Sequence, residues 1–294
     1  MERKSDIQNE ARDFQVISPS AKALLLLKGI TNVPFARTAA ELVSLPDTYE
    51  PEFQNKDIAF WKRVVHFEER YWSVDQLLSQ LDTSNVLELS SGFSFRGLDL
   101  VTRKDVHYTD TDLPQLISQK KELVGQLTTR LDLQLKGKLS MQPLNALDEG
   151  QFTEIESSLP EGPVTVVNEG LLMYLDVEEK RRLCANIHRM LKNRGGCWLT
   201  GDIYTRTQLE RLAGNEDPLK DLTDQQHIEE RMFGSFEQAE QFFEESGFRV
   251  DKVADANFNR LSSIGYLLSL LSSEQLSQLE ATPPFRATWR LKIN

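Results

Sequence analysis

From Asn85 onward, short β-like runs alternate with helix-patterned segments, and no other feature narrows the fold as far. The runs are residues 85–89, 105–109, 138–141, 164–167 and 197–200, each followed by a helical pattern or a loop leading to one. Such alternation predicts a parallel α/β sheet covered on both faces. Two later runs, 248–253 and 287–293, are expected to pair as an antiparallel closing hairpin. Before the first run the rhythm is helical: residues 20–30 read as a short apolar helix. Ile58, Trp61, Val65, Trp72, Leu78 and Leu81 then recur at three- or four-residue steps or their multiples. The expected organisation is a helical cap over 1–82 and a sheet domain over 83–294. That domain carries helical inserts near 205–232 and 259–282, and the whole forms one compact unit. The helix after the fourth run has clear ends: Asp176 and Glu179 form a capping box, Leu183, Cys184, Ile187, Met190 and Leu191 a stripe, and Gly195-Gly196 the stop.

Composition narrows the partners. The 294 residues, 39% hydrophobic, are enough for a sizeable core, and a net charge of −11 argues against a nucleic acid as main partner. The apolar run 23–27 ends at Lys28, far short of the roughly 20 residues a membrane span needs. Residues 1–12 mix both charge signs and do not read as a secretory signal, so the expected location is cytoplasmic. Cys184 and Cys197 stand apart, outside any CxxC or Cys/His cluster, and read as reduced core residues. His66, His107, His188 and His227 show no spacing suited to a metal or a triad.

In open α/β sheets ligands sit beyond the carboxyl ends of the strands, so the residues after each run carry the functional reading. The first run leads into Glu88-Leu89-Ser90-Ser91-Gly92-Phe93-Ser94, a turn of small residues that lets a ligand approach the backbone. The second ends in Asp110-Thr111-Asp112-Leu113-Pro114, and a carboxylate about 20 residues after such a turn is where nucleotide-binding sheets hold ribose hydroxyls. The same Asp-Thr-Asp could hold a divalent ion, but no further ligand follows at suitable spacing. The third run leads to Asn145-Ala146-Leu147-Asp148, where an amide or backbone N–H could read a base edge, or simply turn the chain. The fourth leads directly to Glu169 in Asn168-Glu169-Gly170-Leu171-Leu172-Met173-Tyr174, and an unpaired carboxylate there would cost stability unless it had a task.

Together these strand ends resemble the class I S-adenosylmethionine-dependent methyltransferases. Within that class the resemblance is to the leucine carboxyl methyltransferase family, which includes bacterial O-methyltransferases of polyketide-type products. Residues 18–43 resemble the family's amino-terminal segment, and Arg70 in Glu69-Arg70-Tyr71-Trp72-Ser73-Val74-Asp75 its arginine one helix ahead of the first strand. Residues 88–92 stand at its glycine-rich turn, Asp112-Leu113-Pro114 at its acidic signature, and Glu169 to Leu175 at its Glu-Gly…Tyr-Leu signature. The resemblance implies a Rossmann-like class I methyltransferase sheet and S-adenosylmethionine as cofactor. It implies cofactor contacts from Arg70, Glu88, Ser90, Gly92, Asp112, Asn145, Ala146 and Glu169. Arg70 and Tyr174 would act on the acceptor. Two departures stand out: Ser90 and Phe93-Ser94-Phe95 make the first turn bulkier, and Asn145 replaces an aspartate.

The expected function is methyl transfer to a carboxylate or hydroxyl of a small metabolite, in which an ionised carboxylate needs no general base. Two alternatives are methylation of a protein carboxy terminus and a fold relative that binds without turnover. A nicotinamide oxidoreductase is disfavoured because GxGxxG is absent after the first run. Phe14, Phe35, Phe60, Trp61 and Trp72 could line an acceptor pocket, although at helical spacing such residues are more often core. The oligomeric state is not legible.

Overall fold

A computed structural model of the chain describes residues 18–43, 55–206 and 228–294. Residues 1–12, Phe14, His227 and the 207–227 part of the first expected insert lie outside the described residues.

The described chain builds a seven-stranded sheet in the order β3-β2-β1-β4-β5-β7-β6. Its strands are β1 (Asn85–Leu89), β2 (His107–Asp112), β3 (Lys138–Pro143), β4 (Val164–Asn168), β5 (Gly196–Tyr204), β6 (Phe248–Val253) and β7 (Arg286–Ile293). The first five run parallel, while β7 lies antiparallel to both β5 and β6. The late pair is therefore antiparallel as expected, and β7 is inserted between β5 and β6. The Rossmann-like α/β reading holds.

Strand ends differ from the sequence reading in two places that matter. β2 begins at His107 instead of 105 and runs on through Asp112, because Tyr108 to Asp112 keep parallel partners on β3 out to Pro143. β5 extends to Tyr204, so Asp202 lies inside the strand, buried beside β7.

Helices cover both faces: α1 (Ser18–Lys28), α2 (Ala36–Leu42), α3 (Ile58–Ser79), α4 (Arg96–Arg103), α5 (Pro114–Arg130), α6 (Glu149–Ser158) and α7 (Val177–Arg194). After β5 come α8 (Ile228–Arg231), α9 (Phe236–Glu245), α10 (Ile264–Leu270) and α11 (Ser273–Ala281). The α7 capping box forms between Asp176 and Glu179, and its whole predicted apolar stripe is buried with Trp198, Phe243 and Phe248. On the other side α3, capped by Asp57, packs on β5 and β7, and its buried face holds Phe60, Trp61, Val64 and Phe67. No described helix is long and apolar enough to cross a membrane.

β1 has β2 on one side and β4 on the other, so the chain leaves β1 toward opposite edges of the sheet. The carboxyl ends of β3, β2, β1 and β4 thus lie in a row at this switch point, where an open α/β sheet holds its ligand.

Candidate functional site

A cleft opens at that row of strand ends. Ser90 to Ser94 line it after β1, Asp112 and Leu113 after β2, Leu144 to Leu147 after β3, and Glu169 to Leu171 with Tyr174 after β4. Its roof is α1, whose Ala21, Leu24, Leu25 and Lys28 fall on one helical face at three- and four-residue steps. Arg70 enters from α3.

The ionic centre of the cleft is Glu169. It accepts from Lys28 Nζ at 2.6 Å and Arg70 Nε at 3.3 Å, both on Oε1, and from Arg96 Nη2 at 2.7 Å on Oε2. Burial alone would raise its carboxyl pKa, but the three cations outweigh that and hold it well below the usual carboxylate range. Burial lowers the Lys28 ammonium, with Glu169 pulling the other way. Arg96 is fastened from beneath: Nη1 donates to Glu88 Oε1 at 2.7 Å, Tyr108 Oη donates to the other Glu88 oxygen at 2.7 Å, and the guanidinium lies over the Tyr71 ring.

The loop carrying Glu169 is held by Asp202. Its carboxylate accepts from the N–H groups of Gly170 (2.6 Å), Leu171 (2.7 Å) and Leu172 (3.1 Å) and from Asn168 Nδ2 (2.6 Å). Gly170 has φ 83°, a left-handed conformation, and a Cβ there would stand 3.3 Å from Arg70 Nη2.

At the β1–β2 end, Asp112 Oδ2 accepts from Gly92 N at 2.8 Å and Oδ1 from Leu113 N at 2.7 Å. Burial pushes this carboxyl up against those two bonds. Each oxygen keeps a lone pair for a further donor. Ser91 Oγ is buried, lines the same cleft and has no hydrogen-bond partner among the described residues, a cost that a polar ligand would remove. Ser90 and Gly92 both take positive φ, 49° and 48°; for serine this costs roughly 1–2 kcal/mol. At the β3 end, Leu113, Leu144, Ala146 and Leu147 form an apolar wall. There Asn145 Oδ1 accepts from Leu147 N, and Asn186 Nδ2 fixes the Ala146 carbonyl.

Of the expected site residues, Arg70, Ser90, Gly92, Asp112, Asn145, Ala146, Glu169 and Tyr174 line this one cleft. Glu88 does not: its side chain points inward from β1 and is consumed by Arg96 and Tyr108, so it supports the floor. Asp110 pairs with Lys120 at 2.8 Å instead of sharing an ion with Asp112, and no group of three metal-binding side chains occurs among the described residues. Phe35, Phe60, Trp61 and Trp72 pack in apolar clusters and none lines the cleft. Sequence reasoning missed Lys28, Ser91, Arg96 and Asp202. For Lys28 a signal existed, a lysine closing the apolar stripe of α1; Arg96 and Asp202 act through contacts distant in sequence.

No protein-family model matches this chain, and no curated protein does. Among solved structures it is similar to a DUF574 family protein from Streptomyces avermitilis, with 12% identity, 94% of this chain and 97% of that chain covered, and a TM-score of 0.54. A magnesium protoporphyrin IX methyltransferase from Synechocystis PCC 6803 with bound S-adenosylhomocysteine shares 9% identity over 89% of this chain and 96% of that one, TM-score 0.48. A mitomycin 7-O-methyltransferase shares 12% identity over 79% of this chain, TM-score 0.46, and the chain spans only 57% of its length. The chain shares with the DUF574 family protein a mixed α/β fold, built here on a seven-stranded sheet that is parallel apart from its late antiparallel pair.

Proposed function

We propose that the chain is an S-adenosylmethionine-dependent O-methyltransferase acting on a carboxylate or hydroxyl of a small metabolite, with S-adenosylhomocysteine as product. The finer assignment, to the leucine carboxyl methyltransferase branch, is part of the same proposal and rests on the strand-end motifs.

One observation carries this reading: the order of groups along the row of strand ends. An apolar wall with Asn145 and Ala146 lies at β3, the Asp112 carboxylate at β2, the unpartnered Ser91 Oγ at β1, and the Lys28–Arg70–Glu169 centre at β4. That order matches a ligand with a flat apolar base, a diol and a zwitterionic amino acid end. Lys28 and Arg70 share one oxygen of Glu169, so either could turn to a ligand carboxylate while the other keeps Glu169 paired. Asp112 would take the ribose hydroxyls with its free lone pairs, and Glu169 the ligand ammonium.

The cofactor, when bound, supplies a methyl group on a sulfonium that an oxygen nucleophile can displace. The chain's own residues have three tasks. The α1 roof and the leucines exclude water, which strengthens the charge interactions inside. Arg70 holds an acceptor oxygen by its guanidinium, and Tyr174 borders the same space; such alignment contributes several kcal/mol. Glu169 stays ionised and paired, so it is a weak base, and an acceptor that arrives already ionised suits the site best.

The test is methyl transfer from S-adenosylmethionine to a panel of small carboxylic acids and phenols, read by mass. A methylated product supports the reading. A second reading, binding without turnover, is favoured by the strained Ser90 and by Phe93 bordering the cleft. Cofactor binding with no product across the panel would select it.

A further inference from the structure

His66 and Arg70 lie four residues apart on α3 and so share one face of the helix. Between them sits the hydroxyl of Tyr204, the last residue of β5. Arg70 Nη1 donates to Tyr204 Oη at 3.3 Å, and Tyr204 Oη stands 2.9 Å from His66 Nε2. A phenol has one proton. Its oxygen accepts from Arg70, and the acceptor within reach of its proton among the described residues is His66 Nε2, so the proton is directed there and Nε2 is the unprotonated nitrogen.

The surroundings of His66 favour that arrangement on balance. His66 is stacked on Phe285 with ring centroids 5.4 Å apart and edge-on to Phe67. The charges that face it are Arg70 on its own helix, Arg286 on β7 and Glu169 after β4. Burial and then the two arginines lower its pKa well below the ordinary histidine value, against a smaller pull from Glu169. Burial raises the Tyr204 hydroxyl, which therefore keeps its proton.

Arg70 needs this support. Its bond to Glu169 is 3.3 Å long and falls on an oxygen that Lys28 already holds at 2.6 Å, and apart from Tyr204 its further side-chain contacts are the weakly accepting Met173 Sδ at 3.9 Å and the Phe67 ring, whose centroid lies 5.1 Å from the guanidinium carbon. We infer that Tyr204 and His66 are positioning residues that set the direction of the Arg70 guanidinium in the cleft. Through it they set the affinity for the anionic end of the bound cofactor or product. The inference rests on the function proposed above.

The experiment is calorimetric titration of S-adenosylhomocysteine into wild type, Tyr204→Phe, His66→Phe and His66→Gln between pH 5 and 8, with thermal melts to confirm folding. Losing one such bond predicts binding about tenfold weaker in Tyr204→Phe and His66→Phe. His66→Gln keeps an acceptor for the Tyr204 proton but cannot titrate, so it retains affinity within about threefold, far short of the loss of that bond. Wild type keeps its affinity where an ordinary histidine would protonate, because burial and the two arginines hold His66 neutral there. Wild-type binding by folded Tyr204→Phe, or a wild-type loss of affinity near the ordinary histidine pKa that His66→Gln does not show, overturns the inference and leaves the cofactor reading intact. Absence of binding in wild type overturns both.

Discussion

Lys28 Nζ donates to Glu169 Oε1 at 2.6 Å across 141 residues of chain, joining the roof helix to the loop after β4. Both side chains are nearly inaccessible, at 9% and 4% exposure, so this contact closes the cleft while charging it. Buried pairs of this kind contribute little net stability, since desolvation offsets attraction, and are more readily understood as part of a binding site.

Glu169 keeps Arg70 and Arg96 when Lys28 is removed, so Lys28→Met should fold with a melting temperature close to wild type, yet bind S-adenosylhomocysteine about tenfold to a hundredfold more weakly, the worth of one charge-assisted bond. Calorimetry beside a melt separates the two. Equal losses in both would mean that Lys28 is structural.

Asp202→Asn leaves the loop of Glu169 with an amide facing several N–H donors. The carboxylate satisfies four donors at once, so the substitution is expected to destabilise by about 3 kcal/mol. Chemical denaturation measures it, and a change below about 0.5 kcal/mol would contradict the role given to Asp202.

Much of this architecture was legible in the chain, because strands and helices are dictated by local pattern. The alternation after Asn85, the α7 capping box and the strand-end positions Gly92, Asp112 and Glu169 are all short-range signals. Glu88 was misplaced for a physical reason: alternation along a strand does not say whether a carboxylate meets ligand or a buried arginine, and Arg96 comes from the next helix. Asp202 was hidden because β5 continues past the apolar run on the strength of its pairing with β7. His66, one of four histidines whose spacing suits neither a metal nor a triad, becomes meaningful only through Tyr204, 138 residues away.

Gly170→Ala places a methyl 3.3 Å from Arg70 Nη2 at a residue with φ 83°. The left-handed backbone costs roughly 1–2 kcal/mol for any residue with a Cβ. A lower melting temperature together with weaker product binding is the expected result; a lower melting temperature alone would show that Arg70 has room to move.

Lys180 supplies a pH dependence. Its ammonium donates to the carbonyls of Leu175 and Arg231 at 2.6 Å each, and burial lowers its pKa from 10.5 to about 8. The folded state then binds fewer protons than the unfolded state between those values, so the Lys180 contribution to stability rises with pH through that window and is lost as pH falls through about 8. The full change is up to about 3 kcal/mol. Denaturation of wild type and Lys180→Met at pH 8 and pH 10 should show a smaller alkaline gain in the variant; identical gains would contradict the assignment.

The central claim is that the row of strand ends from Asn145 to Glu169 is a cofactor site, and titration of S-adenosylhomocysteine into wild type and Asp112→Ala tests it most directly. Micromolar binding in wild type, weakened at least about tenfold by loss of the carboxylate proposed to accept the diol, is the predicted result. No binding by folded wild-type protein, or equal binding by the variant, would contradict it.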